Sequence, residues 1–350
     1  MKRALVILVF CIALVACERS FDITRQVGDN AVWMSFIPSN DYDTTFFIVQ
    51  GTTPLAGTTD PLKTNGETVE VRVNGQSLVM KKDGRRSVPD RVQFYATDHV
   101  FSPGDMVEAS ALVPGAGSVY ASCEVPEAFP DYTWKARLVP RSSPTSFTMI
   151  VDLDYEDPGD GGYYGAAVMQ YYEEDSQWEN YDAETGEKYW GEIYHTTHTG
   201  SLAPSGLANV DDLLSAQGEA PVSVSPKHFN TLSGSYPRVQ IWRDTPFTVP
   251  SDRHRHMTIA ARCSEQPAHT DYTGGNTDGW TEYRYKYRIV LYRFSESCYN
   301  YLKAQYNVSN NDFSGLGLAP PSFVYTNVNG GSGVCGAYTV ISSDWIELEK

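Results

Sequence analysis

The clearest chemistry in this 350-residue chain belongs to a single thiol near its start. Lys2 and Arg3 precede a continuous apolar run from Ala4 to Val15, and Leu14-Val15-Ala16-Cys17 closes that run. A cationic start, a short apolar core and a small-residue cleavage site are the pattern of a secretory signal. With cysteine at the cleavage point, the signal is that of a bacterial lipoprotein. Residues 1–16 are expected to be removed and Cys17 to carry the lipid. The apolar run is about twelve residues, short of the roughly twenty that a membrane-crossing helix needs. One acyl chain anchors only weakly; a lipoprotein cysteine carries several, so stable anchoring is expected.

Other spacings that could do chemistry fall short of it. Asp152, Asp154, Glu156, Asp157 and Asp160 crowd one turn, and oxygen-rich loops suit Ca²⁺. An EF-hand loop counted from Asp152 would need Gly where Asp157 stands and Glu where Tyr163 stands, so a solvated acidic turn is expected. His254-Arg255-His256 sets two imidazoles on one strand face. His195 and His198 have helical spacing in surroundings that are not helical. No third ligand stands at a zinc-site spacing; no metal and no cofactor are expected. Gly330-Gly331-Ser332-Gly333 lacks the Gly-Lys-Ser/Thr ending of a phosphate loop and fits a tight bend of closely packed backbone. The nucleophile elbow Gly-x-Ser-x-Gly is missing; Leu232-Ser233-Gly234-Ser235 comes nearest. No catalytic residue is assigned.

Binding chemistry has better candidates. Tyr163, Tyr164, Tyr171, Tyr172, Trp178, Tyr181, Tyr189, Trp190 and Tyr194 fall within a short stretch interleaved with Gly, Asp and Glu. Tyr and Trp offer rigid, amphipathic contact area. Trp178, Tyr181, Tyr189 and Trp190 are expected to form a ligand or partner surface, because the charged and glycine-rich spacing interrupts strand alternation and hinders burial. A tyrosine-rich sheet core is the alternative. Arg284, Lys286 and Arg288 form a cationic row, suited either to cross-strand pairing or to recognition of a carboxylate or phosphate.

These groups need a scaffold, and composition bounds it. The formal net charge is −16, and loss of Lys2 and Arg3 with the signal takes it to −18. A pI near 4.8 excludes the basic face that nucleic acid requires. With Cys11 removed and Cys17 lipidated, Cys123, Cys263, Cys298 and Cys335 remain. Four thiols allow three pairings, which spacing does not rank.

The patterning leans all-β. Thr68 to Val73 alternates apolar and polar, and Asn74-Gly75 with Leu78 and Met80 completes the signal of a hairpin with a type I′ turn. Val92-Gln93-Phe94 and Met106 to Ala109 continue it, with Ser102-Pro103-Gly104-Asp105 as a turn. An immunoglobulin-like β-sandwich is expected over residues 17–124, followed by a larger β-rich domain over 125–350. The best strand is Tyr283 to Leu291. It puts Tyr283, Tyr285, Tyr287, Ile289 and Leu291 on one face and the cationic row on the other. One short helix is expected, capped by Ser295 or Ser297, ending at Asn307, with Cys298, Tyr301, Leu302 and Tyr306 as its stripe.

After that helix come Ala319-Pro320-Pro321 and then Val324 to Tyr338, which contains Asn327-Val328-Asn329-Gly330-Gly331-Ser332-Gly333-Val334-Cys335-Gly336-Ala337. With the lipobox, and with Asp157-Pro158-Gly159 ahead of Tyr163-Tyr164, this segment resembles the Bacteroidota lipoprotein family catalogued as domain of unknown function 4249. The family usually has Leu at Ser332 and a bulky apolar residue at Cys335; the glycine spacing is intact. The resemblance implies an N-terminal β-sandwich and an outer-membrane lipoprotein, often encoded beside a TonB-dependent transporter. It implies no catalytic residues. The expected function is therefore a non-enzymatic accessory lipoprotein that binds a ligand or partner for TonB-dependent uptake. The alternatives are a surface-anchored hydrolase and a purely structural surface lipoprotein.

Overall fold

The computed structural model describes residues 31–41, 44–52, 62–210, 222–224, 238–243, 253–273, 278–309 and 325–348. Residues 1–16, read as a signal, Cys17 and Leu232 to Ser235 lie outside them. The described chain is all-β with one helix.

Eight strands come first: β1 (Val32–Phe36), β2 (Thr45–Gly51), β3 (Thr68–Val73), β4 (Gln76–Leu78), β5 (Lys81–Lys82), β6 (Val92–Thr97), β7 (Met106–Val113) and β8 (Gly117–Glu124). Asn74 and Gly75 join β3 to β4 with φ of 51° and 79°, as a type I′ turn requires. Burial alternates along β7 and β8, so each offers one apolar face. The sheet β4-β3-β7-β8 packs on a sheet containing β1-β2-β6-β5. Met34, Phe36 and Phe47 meet Val71, Val107, Val113 and Val119 in the first core.

The later elements are β9 (Tyr132–Pro140), β10 (Ser146–Glu156), β11 (Tyr163–Tyr181), β12 (Lys188–Trp190), β13 (Tyr194–Ser201), β14 (Ala203–Val210), β15 (Val222–Val224), β16 (Val239–Arg243), β17 (His254–Ser264), β18 (His269–Tyr272), β19 (Gly279–Phe294), helix α1 (Glu296–Ser309), β20 (Ser332–Cys335) and β21 (Tyr338–Ser342). The sheet β14-β17-β10-β9 covers one face of an eight-stranded sheet whose spine is the long antiparallel pair β11 and β19. Met149, Leu153, Met257 and Ile259 meet Tyr164, Val168, Tyr287 and Leu291 there. On the opposite face Ala167, Ile241, Val290 and Phe294 are covered by Cys298, Tyr301 and Leu302 of α1. Ser295 Oγ accepts the Cys298 N–H at 3.3 Å as the N-cap. The helix runs two residues beyond the expected stop at Asn307, because neither Val308 nor Ser309 breaks it.

Strand β20 belongs to both halves. It pairs in parallel with β1, from Trp33↔Ser332 to Phe36↔Cys335, and so completes the first sandwich from the far end of the sequence. Its neighbouring side chains point opposite ways: Cys335 enters the first core, and Val334 enters the core beneath α1. The glycines permit this approach. A Cβ on Gly331 would lie 2.4 Å from the Val32 carbonyl oxygen, and one on Gly333 1.8 Å from that of Met34. Asn327 clamps the strand, donating from Nδ2 to the Cys335 carbonyl at 2.7 Å and accepting the Cys335 N–H at 3.0 Å.

Candidate functional site

Residues 164–169 of β11 are buried, and residues 170–181 are not. Beyond Gln170 the strand leaves the core and continues as an arm. It pairs there with β19 on one side and with β13, then β12, on the other, while β18 extends the sheet past β19. The charged and glycine-rich spacing suggests a break in strand alternation, but β11 is unbroken over 19 residues. Cross-strand neighbours satisfy the backbone, and sheet pairing sets the side-chain period to two whatever the residue types.

That period gives the arm two chemically different faces. Tyr172 sits opposite His198 and Tyr285, with Tyr283 next along the strand. Ring centres are 4.6 Å apart for Tyr172 and His198, 5.4 Å for Tyr172 and Tyr285, and 6.2 Å for Tyr283 and Tyr285. Further out Trp178 lies on Gly279, where a Cβ would come within 2.2 Å of the indole, and leans on Tyr272 at 5.1 Å. Burial pushes the Tyr285 hydroxyl up to about 12, and the Gln266 N–H that donates to it partly offsets this. At the root of this face the Tyr287 hydroxyl donates to Glu265, receives a hydrogen bond from Gln170 at 3.1 Å and lies 3.2 Å from Cys263 Sγ. Burial is the main cause that holds the Tyr287 proton in place far above the ordinary tyrosine range.

The opposite face is ionic. Arg284 donates to Glu173 at 3.0 Å and to Asp175 at 2.6 Å, and Asp175 also meets His195. The Arg284 hydrogen bond holds the Glu173 carboxyl below its usual range; the His195 hydrogen bond, joined by that of Arg284, does the same for Asp175. Lys286 lies 3.9 Å from Glu347, and the Arg288 guanidinium stacks 4.5 Å over the Trp345 ring. The cationic row is thus dispersed among four different partners, Glu173, Asp175, Glu347 and Trp345.

The four residues read from the sequence as a surface stand at the arm's tip, but on both faces. Register places Trp178 and Tyr189 on the aromatic side and Tyr181 and Trp190 on the ionic side. Tyr181, Tyr189 and Trp190 are 62%, 54% and 52% exposed, and Tyr194 beside them 63%. Trp178 is half-buried by its glycine and tyrosine neighbours. Tyr272, Tyr283 and Tyr285 join this surface through pairings that local spacing does not reveal.

Other polar groups among the described residues pair with one another. Asp157 forms a buried ion pair with Arg255 at 2.8 Å and accepts the Gly159 N–H, which shapes the Asp-Pro-Gly turn. Asp160 pairs with Arg293, and Asp152 with Arg137 and Thr258. His254 and His256 both meet Asp154 on an exposed sheet face. Among the described residues no group of three or more His, Cys, Asp or Glu is arranged to hold a metal ion. No described helix is long and apolar enough to cross a membrane.

The family described as "Domain of unknown function (DUF4249)" matches residues 32–344, from β1 to just past β21. The chain belongs to the DUF4249 family. The match takes in both sandwiches, α1 and the β20 crossover, so the Asn329-Gly330-Gly331-Ser332-Gly333 segment that leads into β20 lies within the family region of this DUF4249 protein. A search of curated proteins returns no match.

Proposed function

We propose that this protein is a non-enzymatic accessory lipoprotein of an outer-membrane uptake system, anchored through Cys17 and binding a ligand or a TonB-dependent transporter through its aromatic arm. The observation that carries the binding role is the arm's tip, where Tyr181, Tyr189, Trp190 and Tyr194 are all more than half exposed. Exposed aromatics gathered at the tip of a sheet are typical of interaction surfaces. The anchor rests on the sequence around Cys17, and the transporter on family resemblance.

A triple variant, Tyr181→Ser, Tyr189→Ser and Trp190→Ser, tests the reading. Affinity capture from detergent-solubilised outer membranes of the producing cells should recover a TonB-dependent transporter with the native protein and lose it with the variant. The melting temperature should stay nearly unchanged, since none of the three rings is in a core. Capture that survives the triple change removes the arm from the contact. Cys17→Ala should release the protein from the membrane fraction, and unchanged fractionation would end the anchor reading.

A further inference from the structure

We propose that Cys123 and Cys335 form a disulfide that bolts β20 into the first sandwich. Cys123 lies on β8 in one sheet and Cys335 on β20 in the facing sheet; both are buried, and the Cys335 S–H points at the Cys123 sulfur 3.5 Å away. A disulfide needs about 2.05 Å, so the two sulfurs have to approach by roughly 1.5 Å. The register on both sides is fixed independently of the sulfurs. Cys335 is paired with Phe36 and gripped by Asn327, and Tyr120 on β8 bridges Asn329 just before β20. Cys263 lies against the Tyr287 hydroxyl in the second sandwich. Cys298 stands in the core beneath α1, beside Gly336 and close enough to act on the Cys123 thiol, but its sulfur makes no hydrogen bond to either cysteine that matches the contact between Cys123 and Cys335. The sulfur contact therefore favours one bond between positions 212 apart, with Cys298 as the neighbouring thiol that the pairing must outcompete.

The bond forms by exchange with a disulfide oxidant of the glutathione or oxidoreductase class. One cysteine thiolate attacks the oxidant's sulfur–sulfur bond and releases a thiol. The second thiolate attacks the mixed disulfide, the Cys123–Cys335 bond forms, and the oxidant leaves as a second thiol, carrying away two electrons and two protons in all. In the closed core the hydrogen bond shared with Cys335, together with burial, pushes the Cys123 thiol far above its ordinary range, so thiolate is scarce. Exchange thus belongs to the folding chain, before the sheets close. The pairing rests on this geometry; its formation in the cell also rests on the exported location proposed above.

The full chain is reduced, denatured and refolded in a glutathione redox buffer, then alkylated under denaturing conditions and mapped without reductant. One linked peptide pair containing Cys123 and Cys335 is expected, two hydrogens lighter than the separate peptides, with every other cysteine alkylated. Reductant should lower the urea midpoint of this protein but not that of a Cys123→Ala, Cys335→Ala variant. Alkylation of both cysteines, or linkage of either to Cys263 or Cys298, overturns the pairing. The same map on protein extracted from producing cells separates the two premises: a bond that forms on refolding but is missing from the cells overturns formation in an oxidising compartment and leaves the pairing intact.

Discussion

Two glycines with positive φ separate conformational strain from steric exclusion. Gly75 has φ of 79° and open space where a Cβ would stand; Gly333 has φ of 117° and the Met34 carbonyl there. Gly75→Ala should cost about 1–2 kcal/mol, the price of a left-handed non-glycine residue. Gly333→Ala should cost clearly more, because β20 must also move away from β1; urea unfolding of both variants measures the difference. Asn327→Ala should destabilise by about 1–3 kcal/mol, since it orphans a donor and an acceptor of Cys335 together. Asn327→Asp keeps only the acceptor and should fall between the two. The sequence shows these residues as a motif. It does not show that their glycine spacing follows the carbonyls of a strand some 300 positions away, because nothing local encodes a parallel partner.

At the scale of the element, the arm is a sheet held by cross-strand groups more than by a core. Its two kinds of ion pair have opposite pH signatures. Glu173 and Asp175 are held below their usual 4.5 and 3.8, so their contribution is present above those values and is lost as pH falls through the lowered ones. His269 is held above 6.5, chiefly by its hydrogen bond with Asp271, so its contribution is present below 6.5 and is lost as pH rises through the raised value. Amide protection factors, taken relative to intrinsic exchange at each pH, should be highest in mildly acidic solution for β11 beyond Gln170 and for β18, and should fall on either side. Exposed pairs are individually weak, so the core strands should show no such optimum. Trp178→Ala should loosen the arm by uncovering Gly279 and Tyr272, unlike changes at Tyr181 or Trp190. The elements themselves were legible: the β3–β4 hairpin from Asn-Gly, β19 from its alternation, α1 from its stripe and Ser295. The arm was not, since its aromatics gain a common face only once β11, β13 and β19 are in register.

For the whole molecule, β20 makes the first sandwich dependent on the end of the chain. A chain ending before Asn327 should lose the ordered β1 edge and bury Met34 and Phe36 poorly, seen as a lower, broader thermal transition. A peptide of residues 325–342 added in trans should restore part of it, while a Gly333→Ala peptide should not. This inverts the usual order of events in time. Residues 33–36 wait for residues 332–335, so a chain made from N to C carries an open, apolar strand edge until β20 has emerged. Such an edge invites pairing with other chains. Cotranslational folding, followed by force release or pulse proteolysis on stalled chains, should show the first sandwich becoming protected only after residue 335 has emerged.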